Sequence, residues 1–209
     1  MLDVLNTRCS RWGLNVNPKK TKVVQFKPQG KRKCNFPFRC GDHTIEVVTK
    51  YKYLGLWFCD NIDLKYMAEQ VAVSAHRALG IVIAKAKEMN GIPYECFTKL
   101  YDSLVQSVLD YGSCVWGIRE FDCINAVQHR AMRFYLGVQK KTTTAAAIGE
   151  MGWTPQVIRQ KLGLCRQICR YSIMNVNRLN RMIVTWALKG YVHVFVYIFN
   201  ISQLLYGVQ

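Results

Sequence analysis

The chain has 209 residues, with 29 Lys+Arg against 13 Asp+Glu and a formal net charge of +16, which excludes an acidic solvating tail. Half of its residues are hydrophobic and 12% are aromatic, too apolar a mixture for a disordered basic protein and enough for a packed core. At this length one large domain or two small ones can fold without disulfides.

The nine cysteines are odd in number, irregularly spaced and never in a C-x-x-C pair. The opening segment carries Asp3, Arg8 and Arg11 rather than a continuous apolar run. Both features favour a reducing, intracellular setting, nuclear or cytoplasmic. Charge is segregated: residues 1–50 carry a net +8, residues 51–129 a net −2 and residues 130–190 a net +10. Two basic blocks flanking a nearly neutral middle suit a polyanion, so nucleic acid is the expected partner. A basic surface serving solubility and an anionic membrane surface are the alternatives.

In chain order, Leu2, Leu5, Cys9 and Trp12 recur at three to four residues and predict an amphipathic helix stopped near Gly13. Asn15, Asn17 and Pro18 predict a turn, Lys22 to Phe26 a strand, and Gln29 to Lys33 a basic loop. Phe36 to Arg39 and Thr44 to Val48 read as strands around a Gly41-Asp42 turn, and Tyr51 to Phe58 as a further strand. After Asp60 the pattern turns helical. Leu64, Met67, Val71, Ala75, Leu79 and Val82 mark one helix, ended by Asn90-Gly91. A second starts at Pro93 and presents Phe97, Leu100, Tyr101, Leu104 and Val108. Phe121, Ile124, Gln128, Ala131 and Tyr135 mark a third. Thr154 and Pro155 open a fourth, with an apolar stripe of Ile158, Leu162, Cys165 and Cys169. Leu179 to Leu188 read as a shorter helix.

Arg159, Arg166 and Arg170 lie at i, i+7 and i+11 of the fourth helix, beside its stripe, and Arg130 and Arg133 share a side of the third. Guanidinium forks match phosphate geometry, so such rows can hold a nucleic-acid backbone without reading its sequence. An ordinary solvated helix face is the alternative for any one of them.

Four motifs then fall in a familiar order. Gly13-Leu14-Asn15-Val16-Asn17-Pro18-Lys19-Lys20-Thr21-Lys22 resembles the Gly-Leu…Asn-x-x-Lys-Thr segment that follows the catalytic centre in reverse transcriptases of LINE-type (non-LTR) retrotransposons. Tyr51 to Phe58 resembles that family's Tyr-Leu-Gly strand, including Tyr53 and Gly55, which helps to place the primer end. Tyr111 to Gly117 and Gly149 to Pro155 resemble signatures of the helical region after the palm. The similarity covers about residues 1–188.

The resemblance implies an α+β chain in which residues 1–60 are a small β-rich palm remainder and residues 61–189 a mainly α-helical, thumb-like bundle, followed by an apolar tail at 190–209. It implies binding of an RNA or DNA template–primer backbone, with no small-molecule substrate for this chain alone. The complete family enzyme uses Mg2+ held by paired carboxylates. The family's Tyr-x-Asp-Asp signature falls upstream of Met1, no two acidic residues are adjacent here, and Asp60 and Asp63 read as turn and N-cap residues. This chain alone is therefore expected to hold no metal and to be inactive. Lys20 matches the family lysine that approaches the leaving phosphate, a role conditional on a complete active site. Lys19 and Lys22 are equally plausible phosphate contacts in a basic turn.

Cys34, Cys40 and His43 have zinc-compatible residue types but no evident fourth ligand, and His76, His129 and His193 lack a nucleophilic partner. The uncharged run from Tyr191 to Tyr206 is apolar but interrupted by His193, Asn200, Ser202 and Gln203, so a membrane is not expected as partner. The expected function is that of a reverse-transcriptase fragment. The alternatives are a stand-alone nucleic-acid-binding module without sequence specificity, and a non-functional remnant with a membrane-prone tail.

Overall fold

The computed structural model of the chain describes residues 2–26 and 36–190, without the side chains of 187–190. The basic loop Gln29–Lys33, Cys34 and the tail after Gly190, with His193, lie outside the described residues. The class is mixed α+β, with helix predominating. Two compact units divide the chain, Met1–Gln70 and Val71–Gln209, the division falling inside a helix.

In the first unit, α1 (Leu2–Arg11) forms where expected. Its stripe does not become a buried face: Leu5 and Trp12 are exposed, while Leu2 and Cys9 are only half-buried. The helix rests on β2 through its backbone and its polar side, with the Cys40 thiol against the Leu2 carbonyl and Asn6 beside Gly41.

Strand β1 (Lys22–Val24) pairs in parallel with β4 (Glu46–Val48), Val23 opposite Val47. Strands β2 (Arg39–Cys40) and β3 (His43–Thr44) close a tight hairpin around Gly41-Asp42. The segment Tyr51 to Phe58 is not one strand but a hairpin of β5 (Lys50–Tyr53) and β6 (Leu56–Cys59), with Tyr51 opposite Phe58 and Tyr53 opposite Leu56. Leu54 (φ 47°) and Gly55 (φ 87°) form its two-residue loop. Both lie at positive φ, as a type I′ turn requires. Cys40, Ile45, Leu56, Cys59, Met67 and Ala68 are the buried apolar centre of this unit.

Helix α2 (Leu64–Glu88) starts in the first unit and continues into the second. Asp63 Oδ1 accepts from the Tyr66 N–H at 3.1 Å, the expected cap. In the second unit α2 buries Val71, Ala75, Leu79 and Val82, as their spacing predicts.

After Pro93, α3 (Tyr94–Leu100) runs directly into a π-helical stretch, Tyr101–Gln106, and then α4 (Ser107–Asp110). The buried line here is Phe97, Tyr101, Val105 and Leu109, spaced by fours, whereas Leu100 and Leu104 are exposed. The wider π turn explains the correction: averaged with α-helical turns it keeps every fourth residue on one face.

Helices α5 (Ser113–Trp116), α6 (Asp122–Leu136), α7 (Thr144–Met151), α8 (Gln156–Ser172) and α9 (Leu179–Gly190) follow. The core of this unit is aromatic. Trp153 stacks on Tyr101 with centroids 4.3 Å apart, and Phe97 stacks on Tyr135 at 4.8 Å.

Candidate nucleic-acid interface

In the first unit the sequence Asn17-Pro18-Lys19-Lys20-Thr21 folds around its first residue. Asn17 Oδ1 accepts from the N–H groups of Lys19 (3.0 Å) and Lys20 (3.2 Å), while its carbonyl accepts from the Thr21 hydroxyl at 2.8 Å. An asparagine side chain closing a turn on the backbone two and three residues ahead is the Asx geometry, and Pro18 presets the φ that this turn needs. Lys19 and Lys20 are thereby left exposed. The Tyr51 hydroxyl donates to the Lys20 carbonyl at 2.8 Å, fixing the turn against β5.

Alternation along β5 puts Tyr53, 58% exposed, on the same face as Tyr51, with Gly55 in the adjoining turn. The turn that carries Lys19 and Lys20 is thus tied to β5, the strand that also carries Tyr53, with Gly55 in the turn after it. Lys22 is diverted: its Nζ lies 2.5 Å from Glu46 Oε2 across the β1–β4 pair. Lys50 sits over the Tyr66 ring, 3.7 Å from the centroid, and Tyr66 meets Trp57 edge-on. Among the described residues no group of three His, Cys, Asp or Glu side chains is placed to hold a metal ion.

In the second unit the five arginines differ in what they touch. Arg133 Nη2 donates to Thr144 Oγ1 at 3.0 Å and to the Thr142 carbonyl at 3.4 Å, pinning the segment that leads into α7. Arg130 is exposed, and its charge, after burial, helps to hold His76 below the usual imidazole range. On α8, Arg159 bridges two carboxylates, Asp102 at 3.6 Å and Asp110 at 3.4 Å. Arg166 and Arg170 are exposed and have no ion pair among the described residues. Arg166 also lines an open cleft of about 310 Å³ with Arg159, Asp110, Ser113 and Gln167. The row therefore divides into one arginine engaged in the fold and two open to solvent.

The packed face of α8 is not the expected one. Ile158 and Cys169 are exposed and Leu162 and Cys165 half-buried, whereas Gln156 and Gln160 are almost fully buried. Gln128 on α6 is the reason. Its Nε2 donates to the Thr154 carbonyl at 2.9 Å and its Oε1 accepts from the Gln156 N–H at 3.0 Å. That amide supplies from a neighbouring helix the cap expected from Thr154; the N-cap position is instead held by Pro155, which makes no side-chain capping bond.

The two helical-region signatures are structural here. Trp116 is fully buried and donates through Nε1 to the Tyr111 carbonyl at 3.1 Å. Gly117 lies so close to the Ser113 carbonyl that a Cβ would come within 2.5 Å of its oxygen. In the other signature Trp153 supplies the stack on Tyr101, and the Tyr94 hydroxyl donates to the Met151 carbonyl.

Sequence reasoning missed Asp102, Asp110 and the capping role of Gln128, which spacing alone places only on the stripe of the third helix. The first two are carboxylates eight residues apart on a helix that meets a basic one, and Gln128 is an amide at a position whose spacing calls for an apolar residue.

No family model matches the chain, and no curated protein or solved structure matches it significantly. Among the described residues no helix is long and apolar enough to cross a membrane.

Proposed function

We propose that the chain is a fragment of a LINE-type reverse transcriptase, a palm remainder followed by a thumb-like helical bundle, whose own capability is to hold the phosphate backbone of a template–primer duplex. The observation that carries this reading is the exposure of Arg166 and Arg170 on α8, within a stretch, residues 151–209, that contains no Asp or Glu. Arg130, Lys19 and Lys20 are further exposed cations, and Tyr53 offers an exposed ring on the strand that holds the lysine turn. Lys22, Arg133 and Arg159 act in this reading mainly by shaping the fold around the contacts. Lys20 would approach a leaving phosphate only with aspartates supplied from elsewhere. The chain has no paired carboxylates in its sequence, so it is expected not to polymerise by itself.

Fluorescence anisotropy with a primer–template duplex over a salt series tests the binding. Arg166→Gln with Arg170→Gln should reduce the magnitude of the log affinity against log salt slope by about 1.4–1.8, two contacts at roughly 0.7–0.9 each. An unchanged slope would make these arginines a solvated face. Primer extension with Mg2+ and all four deoxynucleotides should give no incorporation above a buffer blank.

A further inference from the structure

Helix α9 presents its apolar side outward. Among its described side chains, those of 179–186, the half-buried ones are Arg181 and Val184, and Arg181 Nη1 donates to the Met174 carbonyl. Leu179, Met182, Ile183 and Trp186 are instead 67, 56, 52 and 78% exposed. Those four recur at i, i+3, i+4 and i+7 and so form one stripe on the side opposite Arg181 and Val184. Ile173 and Val176, in the connection from α8, are exposed as well. A contiguous apolar patch of this kind marks an interaction surface.

The charge around it narrows the partner. Residues 151–209 hold seven Lys/Arg and no Asp or Glu, and the exposed Arg178 directly precedes Leu179 in the chain. A second copy of the chain would bring like charge to like. A nucleic acid would answer the charge, but of the six exposed apolar side chains only Trp186 has a ring on which a base can stack. An anionic lipid surface answers both features, and the sequence after Gly190 continues uncharged and apolar.

We propose that α9 is an interfacial helix that docks the chain onto an anionic lipid surface, with its stripe in the acyl boundary and Arg178 at the headgroups. Along its described side chains one side is apolar and the other is packed, the pattern of a helix lying in the plane of the interface. The proposal runs against the expectation that a membrane is not a partner.

The test is co-sedimentation of the full chain with phosphatidylcholine vesicles, with and without phosphatidylserine. Binding should be tighter to the anionic vesicles and should weaken as salt is added. Leu179→Ser with Trp186→Ser should lower vesicle partitioning by about tenfold or more, while Trp186→Phe stays close to wild type. Both replaced side chains are exposed, so far-UV circular dichroism should remain unchanged, and affinity for an oligonucleotide should be retained. Unaltered vesicle partitioning in the double variant overturns the proposal. So does a loss of oligonucleotide affinity with vesicle binding intact, which would assign the stripe to nucleic acid.

Discussion

Gln128 forms two hydrogen bonds that no aliphatic side chain of similar size can replace. One is accepted from the first N–H of α8, a group that has no partner within its own helix. Replacing Gln128 by Ala leaves that buried N–H and the part-buried Thr154 carbonyl without this partner, and should destabilise the second unit by about 1–3 kcal/mol. Urea denaturation of the variant against wild type measures it, and a loss below about 0.5 kcal/mol would mean that water or another amide takes over both bonds. Gly117 acts by absence of atoms. Its φ is ordinary, but a methyl group would press on the Ser113 carbonyl, so Gly117→Ala should cost about 1–3 kcal/mol through overpacking, read in the same experiment.

Hairpin β5–β6 shows what an element owes to its turn. Both loop residues are left-handed, and Leu54 already bears the strain of a Cβ there. Gly55→Ala should therefore loosen the hairpin, with faster amide exchange at Tyr53 and Leu56, the pair flanking the turn; unchanged exchange would show that the strands alone set the register. The same turn explains why the segment reads as a single strand. Leu-Gly is not one of the Asn-Gly or Asp-Gly pairs that announce such a turn, and the aromatic run on either side is uniformly strand-like. Helices α2, α3 and α6 were legible as elements because apolar residues recur in them at helical spacing, although Leu100 and Leu104 are exposed and the buried side of α6 includes the amide Gln128. Helix α8 as an element was equally legible, but its packed face was not, because amides carry it. Helices α5 and α7 escaped notice: the first is one turn long, and the second begins with threonine and three alanines, which have little periodicity to detect. At the candidate site the sequence located the cations, while their division into exposed and engaged ones depended on Glu46, Asp102 and Asp110, which are remote in sequence from the residues they meet.

For the molecule as a whole the two half-buried histidines of the second unit predict the pH response. Burial, and then the charges of Arg130 and Arg133, hold His76 and His129 below the ordinary imidazole value of 6.5. A base with a depressed folded-state pKa takes up protons more readily when unfolded. Stability should thus be at its full value above about pH 6.5 and decline as pH falls from there through the folded-state values. Thermal melts between pH 8 and pH 5 should show this loss, and His76→Gln with His129→Gln should flatten it; an equal decline in the variant would place the proton uptake elsewhere. The amide seam between α6 and α8 has one more effect. Oily surfaces tolerate sliding, whereas the Gln128 bonds can be made at a single offset, because only the leading turn of a helix has an N–H to spare. Slipping α8 along its axis by one turn would bring up a backbone group already spent inside the helix, so this joint admits one alignment and rejects its neighbours.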